Sequence, residues 1–123
     1  MPQRGPSDPK LCGRVPGIRL KPGSLLQRIY GRNEVVEEFF CNYEVNPQYE
    51  PQLASAGLEV VARAEHGEAR AVELAGHPFF MVTLFQPQLS STPEKPHPLI
   101  SAFVKAAVEF SRARQAPAQS ARA

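Results

Sequence analysis

The sequence predicts an α/β domain with a mixed sheet and flanking helices. Short β-branched and aromatic runs alternate with capped helical segments. Two of those runs, 58–64 and 69–74, are joined by the turn His66-Gly67-Glu68 as a hairpin. Leu99, Ile100, Phe103, Val104, Ala107 and Val108 then recur at helical spacing, which predicts an amphipathic helix packed on the sheet.

The elements follow in order. Residues 17–20, Gly-Ile-Arg-Leu, form a short strand before a Pro22-Gly23 turn. Ser24 with Gln27 three residues on is a capping box: the hydroxyl accepts a free amide and the glutamine reaches back. The helix it opens, 25–30, stops at Gly31, the usual left-handed terminator. Residues 35–45 alternate, with Phe39, Cys41, Tyr43 and Val45 on one face and Phe40, Asn42 and Glu44 on the other. Asn46-Pro47 caps a helix that ends at Gly57. After the hairpin, Gly76-His77-Pro78 turns into the strand 79–85, apolar at nearly every position, as in a strand covered on both faces. Pro98 starts the last helix.

Composition bounds the function. The 123 residues suffice for one domain with a real core but not for two. A net charge of +2, with scattered basic residues, excludes an electrostatic nucleic-acid footprint. No apolar run approaches the ~20 residues that span a bilayer, and the N-terminus lacks the apolar core of a signal peptide. Cys12 and Cys41 are therefore read as free thiols in a reducing cytoplasm. Five of the thirteen prolines fall within the first 22 residues. Residues 1–15 read as a flexible lead-in, 16–114 as the folded part and 115–123 as a frayed tail.

A set of short motifs carries a resemblance. They are Tyr43-Glu44-Val45-Asn46, Ala56-Gly57-Leu58, Val72-Glu73-Leu74, Gly76-His77-Pro78-Phe79-Phe80, Ser90-Ser91-Thr92-Pro93, His97-Pro98-Leu99 and Phe103-Val104-Lys105-Ala106-Ala107. In order and spacing they resemble the C-terminal half of the class I glutamine amidotransferase domain of CTP synthase, a flavodoxin-like fold. Cys41-Asn42-Tyr43 and Leu84-Phe85-Gln86-Pro87 further resemble the stand-alone proteins described as CTP synthase C-terminal region-related. The resemblance places the family's role in pyrimidine nucleotide synthesis beside this chain.

The resemblance also implies a site. In the family the strand ending at Phe85 is followed by His-Pro-Glu, a base and the carboxylate that orients it. The base converts a cysteine thiol, mostly protonated at neutral pH, into the thiolate nucleophile. Here Gln86 stands at the histidine position and Gln88 at the glutamate position. An amide keeps size and polarity but neither takes a proton near pH 7 nor supports an imidazolium by charge. The family's nucleophile sits on a Gly-x-Cys-x-Gly turn between strand and helix. Lys10-Leu11-Cys12-Gly13-Arg14 lacks the first glycine and any preceding strand. The Arg/His-rich run that helps the family hold glutamine is replaced by Phe39-Phe40-Cys41-Asn42, so a carboxylate loses its bidentate partner.

These changes predict a degenerate amidotransferase with no catalytic residues, leaning away from an enzyme and towards a binding or fragment role. Cys41 and Asn42 remain as a candidate pocket, with Cys41 either a half-buried hydrophobe or a thiol of altered chemistry. A third reading is the C-terminal piece of a longer amidotransferase-like protein. His66 is expected in a solvated turn, and the resemblance makes His77 and His97 structural turn residues. No cofactor or metal is expected, because no ligand cluster or phosphate-cradling glycine loop occurs. An open sheet is expected to require self-association or a protein partner, with neither nucleic acid nor membrane involved.

Overall fold

The computed structural model describes residues 12–40 and 43–122. Five strands form one sheet in the order β2-β1-β3-β4-β5. They are β1 (Cys12–Leu20), β2 (Glu34–Phe40), β3 (Leu58–Arg63), β4 (Ala69–Leu74) and β5 (Met81–Thr83). The helices are α1 (Leu25–Tyr30), α2 (Glu50–Ser55) and α3 (Pro98–Arg122), with 3-10 turns at Pro47–Tyr49 and Pro87–Leu89. The α/β class stands, but the sheet expected to be mixed is antiparallel at every described pairing. The short links 64–68 and 75–80 leave no length for a parallel crossover.

Several boundaries move. Residues 12–15, expected in the lead-in, belong to β1 and pair with residues 37–40 of β2. The strand survives Pro16 because a bulge absorbs it: the register slips between Val15 and Ile18, and Gly17 supplies the left-handed φ of 66°. β2 is described over Glu34–Phe40; Tyr43 forms an isolated bridge, and residues 44 and 45, expected in the strand, lie outside it. The strand expected over 79–85 shrinks to β5, an edge strand with Phe80 and Val82 exposed rather than covered. α3 runs to Arg122, beyond the expected stop at 114.

Local chemistry explains α1 closely. Ser24 Oγ accepts from the Gln27 amide at 3.1 Å. Gln27 Oε1 reaches back to the Gly23 amide at 2.8 Å, one residue earlier than a standard capping box. Gly31 closes the helix at φ 70° with its amide on the Gln27 carbonyl. Asn46 caps the next turn through the Gln48 amide, as the Asn-Pro pair predicts.

One core results, built from Ile18, Leu20, Leu26, Val35, Phe39, Val61, Phe85 and Leu99 with small alanines between them. The sheet curls enough for its two edges to approach. Just beyond β5, the Gln86 amide donates to the Glu38 carbonyl of edge strand β2 at 2.9 Å. Phe85, 1% exposed, is thereby sealed between the edges. α3 does not lie on the sheet as expected; it packs on α1 and the 87–89 turn, and of its first eighteen residues only Leu99 is buried. No described helix is long and apolar enough to cross a membrane.

Candidate functional site

Gln86 and Gln88 lie on the turn that follows β5. Gln86 is extended (φ −112°, ψ 96°) and half-buried, and its carbonyl accepts from the Leu89 amide at 3.0 Å to start the 3-10 turn. Gln88 is exposed. The turn is thus pinned by backbone bonds to β2 and within itself, and its two amides present no ionisable group. Cys41 and Asn42, the candidate pocket, lie outside the described residues. Cys12 sits in β1 opposite Phe40, in a strand rather than a strand-to-helix turn.

The titratable chemistry has gathered elsewhere. Glu37 sits on the inward face of β2 between Val35 and Phe39 and is 3% exposed. Its Oε2 accepts from the Tyr30 hydroxyl of α1. The same oxygen meets His97 Nε2 at 2.5 Å, and His97 Nε2 lies 3.3 Å from the Tyr30 hydroxyl. His97, expected as a simple turn residue, is 6% exposed. It caps α3: its Nδ1 accepts from the Leu99 amide at 3.0 Å and its carbonyl from Ser101. Because Nδ1 accepts, the proton belongs on Nε2, which donates to Glu37. Ser91 of the Ser-Ser-Thr-Pro motif fixes the approach, its Oγ accepting from the His97 amide at 3.0 Å. An open cleft of about 610 Å³ lies over this network, with Arg32, Lys95 and Ser90 among its walls.

Burial, then the hydrogen bond to Glu37 and that group's negative charge, push the Tyr30 hydroxyl far above an ordinary phenol. The folded state therefore holds this proton more tightly than the unfolded chain. That contribution is fully present below about pH 10, the unfolded value, and is lost as pH rises beyond it. The urea midpoint is expected to fall more steeply above pH 10 in the wild type than in Tyr30→Phe. Parallel slopes would refute the assignment.

A second buried charge was not read from the sequence. Arg70 of β4 is 4% exposed, with Nη2 3.4 Å from Glu44 Oε1 and its guanidinium 5.8 Å from the Phe39 ring centre. The signal was a cation between alanines in a hairpin strand. No group of three His, Cys, Asp or Glu among the described residues could hold a metal ion. His66 and His77 are exposed in turns, and His77 Nδ1 accepts from the Phe79 amide at 3.0 Å.

The chain aligns with CTP synthases. It is 38% identical over 96 residues to that of Archaeoglobus fulgidus, covering 77% of this chain and 18% of the relative. It is 42% identical over 102 residues to that of Saccharopolyspora erythraea (80% and 18%) and 42% over 95 residues to that of Hyphomonas neptunium (76% and 18%). The fold matches the Trypanosoma brucei CTPS glutaminase domain, solved with bound acivicin, at a TM-score of 0.75 and 31% identity. The chain is a relative of the CTP synthase glutaminase domain. The match spans 80% of this chain and 39% of that solved chain. No family model matches. This glutaminase relative thus spans under a fifth of the curated proteins it aligns with.

Proposed function

We propose that this glutaminase relative does not hydrolyse glutamine and acts in the cytoplasm by binding. The observation that carries the reading is Gln86 and Gln88 on the turn after β5, where the resemblance expects the catalytic base and its orienting carboxylate. Neither amide has a proton-accepting form near neutral pH. A thiol brought to Gln86 would keep its proton, and a thiol is a weak nucleophile beside its thiolate. The strand setting of Cys12 supports the same reading, since a nucleophile needs a sharp turn that exposes it to substrate. Loss of the cationic run at 39–42 further weakens any hold on a substrate carboxylate.

Ammonia release from glutamine by the purified chain is expected to stay at the buffer rate. Gln86→His with Gln88→Glu is expected to leave it there, because the pair would have no nucleophile to activate. Glutamine-dependent release that Cys12→Ala abolishes would overturn the proposal. So would turnover by the double variant, which would place a competent nucleophile elsewhere in the chain.

A further inference from the structure

The apolar face of α3 is left open by the fold. Ile100, Phe103, Val104, Val108 and Phe110 are 36–56% exposed. At about 100° per residue they form one continuous arc that also holds Ala107. Lys105 and Glu109, the charged residues between 99 and 111, fall on the far side. Within the chain, Phe103 meets the edge of the Phe79 ring at 5.6 Å, and the Arg114 guanidinium lies over the Phe110 ring at 5.9 Å.

We propose that this face joins two copies of the chain, α3 against α3, antiparallel about a two-fold axis. Phe103 of each copy then sits over Ala107 of the other, and Ile100 beside Phe110. One offset satisfies both contacts in both directions, as a two-fold interface demands. Large meets small at the crossing, so the helices approach closely, with no charge on the contact line between residues 99 and 111. The area is adequate. Five large apolar side chains, each about half exposed, offer ~500 Å² per copy and about 1,000 Å² for the pair, the lower bound for a specific interface. Association also answers a need of the helix. Over residues 98–115 only Leu99 is buried, and a helix held chiefly at its first turns is marginal in water. The sheet edges compete poorly: β5 pairs over three residues and β2 already accepts the Gln86 amide.

Sedimentation velocity of the full chain over a wide concentration series tests this. A dimer that dissociates on dilution is expected. Val104→Glu places a charge at the contact and is expected to weaken the dimer about a hundredfold or more. Ala107→Phe fills the crossing gap and is expected to do likewise, while Lys105→Glu on the far side leaves the dimer intact. Circular dichroism of each variant checks that α3 remains helical, and both interface changes lie at exposed positions outside the core. A monomer at every concentration would overturn the proposal and assign the face to another segment or protein. A dimer indifferent to both Val104→Glu and Ala107→Phe would overturn it equally, by moving the contact off α3.

Discussion

Glu37→Ala is expected to cost about 3–5 kcal/mol of folding stability, a large share of the 5–15 kcal/mol that holds a small domain. The carboxylate is 3% exposed and serves two donors, the Tyr30 hydroxyl and His97 Nε2. Removing it leaves both without that acceptor, and a donor left unmet beside buried side chains carries a desolvation cost. The damage spreads because the three residues come from three places: α1, β2 and the cap of α3. Glu37→Gln keeps the volume and one acceptor and is expected to lose less. Urea denaturation at pH 7 measures both changes. A loss below about 1 kcal/mol for the alanine variant would show that the network is solvated and carries no structural weight.

This network was the least legible feature in the sequence, for a physical reason. The alternation of β2 puts Glu37 in phase with Val35 and Phe39, on the core side. A carboxylate in that phase signals a buried partner. Its partners, however, lie 7 and 60 residues away in sequence, and no local rule links them. His97 misleads similarly: a histidine before proline reads as a turn, and only the fold shows that it caps α3 from inside.

Elements fixed by nearby residues were legible to within a residue or so. The Ser24–Gln27 cap, the Gly31 stop and the Asn46 cap depend on contacts within a few positions, and the hairpin strand Ala69–Leu74 on a neighbour no more than 16 residues away. Elements defined by distant partners were not. β1 extends back to Cys12 because β2 lies beside it, and a proline-rich stretch gives no hint of that neighbour. β5 is short because it is an edge, which the apolar run 79–85 conceals. α3 was expected on the sheet from the helical spacing of Leu99, Ile100, Phe103 and Val104. Apolar spacing shows that a helix has a face to cover, not what covers it. The turn at Gln86–Gln88 was placed by resemblance, and its lack of ionisable groups follows from residue identity alone.

The segment that leads into that turn carries the other large expected effect. Phe85→Ala is expected to destabilise the fold by about 3–5 kcal/mol, the range for a fully buried phenylalanine truncated in a packed core. Phe85 is 1% exposed and among the largest fully buried side chains. It follows β5 by two residues, with its carbonyl accepting from Thr83 Oγ1 at 2.8 Å. The next amide, Gln86, crosses to Glu38 on the opposite edge. The ring therefore fills the space left where the sheet curls. Phe85→Leu retains most of the volume and is expected to cost less than half as much. Because the Gln86–Glu38 bond depends on where Phe85 seats the chain, hydrogen exchange at the Gln86 amide should quicken in the alanine variant more than exchange in the β3–β4 hairpin. Equal losses for alanine and leucine would mean that the ring's shape, rather than the cavity, sets the cost. An alanine variant as stable as the wild type would mean that the curled sheet does not close over this residue.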